Sequence, residues 1–316
     1  MTNSSYSQRF NSVEISGVPI LQTHPGEVFW LNNSTVLPKK GRGGSDGNKG
    51  TYLSPFENLD FAVGRCTASR GDVIMVMPGH AETLSAADAV DLDVVGISVI
   101  GLGNGTNRAT FTMDNAAGEI TIGANNVTIE NIIINASVTA VLKGVNVEAA
   151  VNNVTIRNCT FGVDLAGTDE FLHTISFENG STDSLIENCT IDQGIGGATA
   201  AIIADADTDK LTIRNNVIRG DYGTANIVGD TTLSTQILIR GNILVNGVGG
   251  NLNAQPGIEL LTGTTGIIAD NYIVCNLATK AASVVADTCL LFENYYNEDI
   301  SGAATGGIIG AASADD

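Results

Sequence analysis

Carboxylates raise the first chemical question. Acid–base work on a glycosidic bond needs an acid and a base, or a nucleophile, held a few ångströms apart. Asp164, Asp169 and Glu170 form one acidic loop, and Asp192 could approach them from a neighbouring repeat unit. The row of equivalent repeat positions around Asp192 holds Asn135, Gly162, Asp192, Arg219, Val245 and Val274, which is not a carboxylate row. In a chain of net charge −19 an acidic loop is ordinarily just solvated surface, so no catalytic residue is assigned. Asp205, Asp207 and Asp209 alternate as in a calcium loop, but the glycine and the bidentate glutamate of such loops are missing. They are the one metal candidate, and no cofactor is expected. His80 could pair with Glu82 at a turn. Cys66, Cys159, Cys189, Cys275 and Cys289 are odd in number and widely spread, which suits free buried thiols. Cys159 and Cys189 share a repeat position and are expected to stack.

The elements that would carry these residues come from a repeat. Val127-Thr-Ile-Glu-Asn-Ile-Ile-Ile134, Val154-Thr-Ile-Arg-Asn-Cys-Thr-Phe161, Ser184-Leu-Ile-Glu-Asn-Cys-Thr-Ile191 and Leu211-Thr-Ile-Arg-Asn-Asn-Val-Ile218 align, and three further segments follow to Tyr296. The turn column is Asn131, Asn158, Asn188, Asn215, Gly241, Asp270 and Asn294, at intervals of 27, 30, 27, 26, 29 and 24 residues. Only Asn, Gly and Asp occupy it, the residues that tolerate a left-handed backbone. Apolar, often β-branched residues flank it on both sides, so each unit is strand, turn, strand. A fixed period in the twenties marks a stacked solenoid. The expectation is an all-β, single-stranded right-handed parallel β-helix of about nine coils. Stacking at about 4.8 Å lets Asn131, Asn158, Asn188, Asn215 and Asn294 form a hydrogen-bonded ladder.

The ends of the solenoid differ from its body. Ser54 stands at a plausible N-cap, Pro55 at the first helical position and Glu57 at the third, which predicts a capping α-helix within 51–70. The β-helix is placed at 71–300, with Gly71–Gly79 carrying its first buried strand, and 301–316 is a small-residue tail. Residues 1–50 form an extended N-terminal arm with a basic, glycine-rich loop.

Composition narrows the partners. The chain has 316 residues, 43% of them hydrophobic, which is enough for a sizeable core. Its acidity makes nucleic acid and anionic membrane surfaces poor partners. No stretch approaches the ~20 apolar residues of a membrane span. Asn126, Asn153, Asn158 and Asn188 begin glycosylation sequons inside the repeat, where glycans would disrupt stacking. Synthesis in a bacterial cytoplasm is therefore expected. Aromatic residues are 5%, and sugar grooves need aromatic platforms.

Asp46-Gly-Asn-Lys-Gly-Thr-Tyr-Leu-Ser-Pro-Phe56, Gly71-Asp-Val-Ile-Met-Val-Met-Pro-Gly-His-Ala-Glu-Thr83 and Ile100-Gly-Leu-Gly-Asn-Gly105 resemble the entry segments of pectate-lyase-like β-helix proteins of tailed, marine-type bacteriophages. The resemblance covers residues from about 46 to 300 and specifies fold better than activity. It implies polysaccharide lyases, tailspike depolymerases or non-catalytic virion proteins. The Arg-x-Pro-x-x-Arg of the lyases and the Asn-Thr-Asp of the polygalacturonases are absent. The expected function is a structural virion protein, a trimeric capsid decoration protein. Its partners are the major capsid protein and its own copies, and Trp30, Lys39, Lys40, Arg42 and Lys49 form the docking arm. The alternative is a tail fibre or tailspike that binds or depolymerises host polysaccharide.

Overall fold

The computed structural model describes residues 14–15, 18–19, 26–34, 41–162, 168–194, 197–205, 207–229, 233–248, 251–252, 254–277, 280–286, 288–297 and 307–309. They form a right-handed parallel β-helix of about eight turns, against the nine expected. Three sheets of ten, eleven and eight strands run along it, and each typical coil gives one strand to each. One coil is Thr128–Glu130, Ile133–Ala136 and Val141–Val147. The repeat visible in the sequence covers the first two strands of such a coil. The third sheet has no comparable asparagine marker.

Parallel pairing in register stacks like on like. Ile129, Ile156, Ile186, Ile213, Ile239 and Ile268 form one inward column, all buried. Asn131, Asn158, Asn188, Asn215, Gly241 and Asp270 have φ between 54° and 67°, so one left-handed residue makes the corner between the first two sheets. In the last coil that residue is Glu293, with φ 46°, and not Asn294.

The side-chain ladder lies one residue further on, in the buried column Asn216, Asn242, Asn271 and Asn294. The Oδ1 of each accepts the backbone N–H of its counterpart one coil earlier, from Cys189 to Asn271, at 2.9–3.1 Å. The Nδ2 atoms of Asn216, Asn242 and Asn271 donate to the next Oδ1 at 2.8–3.0 Å. Of the expected ladder only Asn294 belongs to this chain of bonds. Asn131 instead donates to the carbonyls of Gly101 and Gly103, and Asn158 to Glu130. The physical reason is a division of labour. The left-handed position points its side chain toward solvent, while the next position points inward and must satisfy its amide there. Cys159 and Cys189 occupy the same inward column in the earlier coils.

The N-terminal end is closed differently from the expectation. Val28–Leu31 pairs in parallel with Val73–Val76 and is the outermost strand of the first sheet, so this part of the arm belongs to the solenoid. Gly50–Phe56 covers its free edge: Trp30 N–H donates to Gly50 O, Phe56 N–H to Trp30 O and Asn32 N–H to Phe56 O. That pairing holds residues 54–56 extended, and the helix therefore starts later, as Leu59–Val63 with Asn58 before it. Its first N–H is taken by the Glu82 carboxylate, 23 residues on, rather than by a local cap. A Cβ on Gly50 would meet the Phe56 ring at 2.3 Å, so the glycine-rich loop is pressed onto the cap.

Two stability outcomes follow from this architecture. Asn242→Ala strips an acceptor from two buried donors and should cost about 3 kcal/mol in urea unfolding. Asn215→Ala meets only the left-handed backbone penalty of about 1–2 kcal/mol. Equal losses would contradict the inward ladder. Removing residues 1–45 takes away Val28–Leu31 and should lower the melting temperature sharply, whereas removing 1–25 should not.

Candidate functional site

Every arginine from Arg157 onward pairs with a carboxylate of a neighbouring coil. On the first sheet Glu130, Arg157, Glu187, Arg214 and Arg240 stack in register. Arg157 meets Glu130 at 2.8 Å, Arg214 meets Glu187 at 2.7 Å and Arg240 meets Asp270 at 2.8 Å. These contacts run along the solenoid axis and converge on no groove.

The second sheet holds a carboxylate beside an arginine. Asp192 and Arg219 are in register on adjacent coils, facing outward, with Arg219 Nη1 3.6 Å from Asp192 Oδ1. Burial raises the Asp192 carboxyl, and Arg219 opposes the rise. Glu170, only 4% exposed, is also raised by burial, with Asp169 adding to the shift. The charge Asp192 meets is thus Arg219, and the one Glu170 meets is Asp169. Asp164 lies outside the described residues. Gln193, buried beside Asp192, donates to Thr174 and accepts from Phe171 N–H, which is a packing role.

The remaining candidates are structural. His80 Nδ1 accepts from Asn33 N–H, so its Nε2 carries the proton and donates to Glu82 at 3.1 Å. This buried pair ties the first strand, the helix and the first coil together. Asp209 Oδ1 accepts from Thr235 N–H, joining its coil to the next, and Asp207 lies at a left-handed turn. No group of three or more His, Cys, Asp or Glu able to hold a metal occurs among the described residues. Trp30 packs edge-on against Tyr52 at 5.0 Å, within the cap. Arg42 and Lys49 are exposed on the same cap, while Lys39 and Lys40 lie outside the described residues. Burial pushes the Cys66 and Cys275 thiols up to about 12 and Cys289 to about 11, so none is a ready nucleophile.

An acidic seam on the third sheet was not legible in the sequence. A Cβ on Gly123 would lie 3.0 Å from Glu148 Oε2 and 3.4 Å from Asp91 Oδ1, so the two carboxylates converge where a side chain is missing. Burial raises the Asp91 carboxyl first, then Asp93, Glu148, Asp88 and Asp60. Glu119, in the same region, is raised by burial with Lys143 opposing. Lys143 itself bonds Glu178 at 2.8 Å and Asn146 at 3.0 Å.

No protein-family model and no curated protein matches the sequence. Among solved structures the chain is similar to the deglycosylated pectin methylesterase of Aspergillus niger. The TM-score is 0.50 and the identity 14%, over 87% of this chain and 85% of that one. A mutant pectin methylesterase in complex with a hexasaccharide gives a TM-score of 0.47 and 12% identity, over 88% and 90%. At this identity the likeness carries the parallel β-helix fold alone.

The raised carboxyls have a definite sign. Protonation of Asp91, Glu119, Glu170 and Asp192 favours the folded chain. That contribution is complete below the ordinary carboxylate range and is lost as pH rises through the raised values. Asp72 runs the other way: burial pushes it up, but Arg70 and the amides of Thr67 and Glu27 outweigh this and lower it. Its contribution is lost as pH falls through that lowered value. Asp91→Asn should therefore raise the melting temperature at pH 7, with the gain vanishing below the ordinary carboxylate range. A gain that persists there would remove charge relief as its cause.

Proposed function

We propose that this chain is a structural virion protein of a tailed bacteriophage, a trimeric capsid decoration protein bound to the major capsid protein. The observation that carries the structural half of this reading is the use of surface charge. The carboxylates and arginines of the first sheet pair along the axis. The sequence resemblance supplies the phage half. The basic Arg42 and Lys49 on the cap of an otherwise acidic chain support docking through the N-terminal end.

The test is the copy number of the chain in purified particles, by quantitative mass spectrometry against the major capsid protein. Near parity supports a lattice-wide decoration protein, and absence from particles overturns the virion reading. A few copies per particle would move the chain to the tail.

The Asp192–Arg219 pair favours one second reading, a tail protein acting on host polysaccharide. It is tested by assaying reducing ends and unsaturated uronates after incubation with capsule. Activity lost in Asp192→Asn would establish this reading. The structural reading expects no release from either protein.

A further inference from the structure

The outward column of the second sheet changes character along the axis. In register it is Ala81, Thr110, Ile133, Thr160, Thr190, Val217, Ile243, Tyr272 and Tyr295, and Ile308 then pairs antiparallel with Tyr295. The neighbouring outward column goes from Thr112 and Asn135, through Asp192 and Arg219, to Val245 and Val274, and ends on the uncharged Asn297. These are the same structural positions on successive coils, so the solenoid geometry itself accepts threonine there. The apolar ending therefore answers to something other than the fold.

Tyr272 is 55% exposed and Ile308 54%, with Ile243 and Tyr295 also exposed. Around the corner, Leu290 at 58% and Phe292 at 51% are also exposed, but Asp270 and Glu293 stand between them and the second-sheet columns. Most of the large exposed apolar side chains of the described residues lie from Leu233 onward. At ~150–250 Å² for a whole aromatic side chain, the half-exposed group amounts to several hundred Å². This is the size of the largest apolar patch an ordinary monomer carries, which is often a functional surface.

We infer that this face of the C-terminal coils is where copies of the chain meet one another. Two observations choose a second copy over other occupants. From Val217 and Val245 onward the two outward columns carry no ionisable acid or base. For chains of net charge −19 this is a face on which like-charged copies can approach without placing carboxylates opposite each other. The Tyr272 and Tyr295 rings stack on one another, 5.0 Å apart and tilted by only 13°, so each has one face already taken, with apolar Ile243 and Ile308 on either side. The apolar surface of a second copy fits this group better than a sugar, whose many hydroxyls would find only the two phenols to bond. The inference deepens the structural reading by locating the contact between copies. It fails separately from that reading, since it concerns the purified chain and not the particle.

The experiment is sedimentation equilibrium of the full chain at tens of micromolar, at low and high salt. The expected result is a mass of two or more copies, no weaker at high salt because screening reduces the repulsion between acidic chains. The double variant Ile243→Thr, Tyr272→Thr installs the residue already found at 160 and 190 in the same column, and it should sediment as a monomer. Leu142→Thr, an exposed apolar residue on the third sheet, should leave the mass unchanged, and melting curves establish that both variants fold. A monomeric wild-type chain overturns the inference. So does a folded double variant that still associates.

Discussion

Each coil is held to the next by main-chain hydrogen bonds between parallel strands in register, and nearly every other feature of the molecule is a consequence of that spacing. A residue finds its counterpart about 4.8 Å away along the axis, once per turn. Whatever works at one position must also work beside a copy of itself. Isoleucine columns in the interior satisfy this by close packing. Buried asparagine satisfies it because its amide is donor and acceptor at once, so each Oδ1 can take one Nδ2 and one backbone N–H while each Nδ2 also reaches a carbonyl. Charges meet the same demand by alternating sign, as Glu130, Arg157, Glu187 and Arg214 do.

The same spacing makes the ends the costly parts of a solenoid, since a terminal strand leaves its donors, acceptors and core without a neighbour. The N-terminal end is closed by polar ties of long sequence separation. Asp72 accepts from Glu27, His80 from Asn33, and Glu82 from Leu59. At the C-terminal end Gly307–Ile309 covers Asn294–Tyr296 of the second sheet, and Leu290–Phe292 is the last strand of the first. One end is thus sealed by specific hydrogen bonds, and the other carries apolar surface. That asymmetry suits a rod whose two ends have different neighbours.

A β-helix can present any chemistry on its outer columns, which is why its fold alone names no activity. In this chain the distribution of side chains matters more than their totals. Aromatic residues are few, yet Tyr272, Tyr295 and Phe292 gather on the last coils instead of spreading along a groove. Carboxylates are many; several pair with arginine or lysine of a neighbouring coil, and Asp91 and Glu148 converge over Gly123 on the third sheet. Asp192 has an arginine as its neighbour in charge.

The sequence by itself determined the period, the corner and the nature of the core, because a left-handed residue flanked by β-branched runs is a local requirement that repeats with every coil. Asn131, Asn158, Asn188 and Asn215 declare that corner without any tertiary information. Which asparagine faces inward was not local. Asn215 and Asn216 are adjacent and chemically identical, and only the direction of each Cα–Cβ bond within the closed coil separates a solvent-facing corner from a buried ladder. The same holds for the third sheet, where the left-handed corner that leads back to the first sheet is Asn126, Asn153, Asp183, Lys210 and Gln236 and so is not one residue type, and for the meeting of Asp91 with Glu148 over Gly123. The cap shows it again, where Pro55 suits a helix but Phe56 is drawn into pairing with Trp30. Tertiary structure decided these points because they depend on which residues from different coils are brought within hydrogen-bonding distance, and no spacing along the chain encodes that direction.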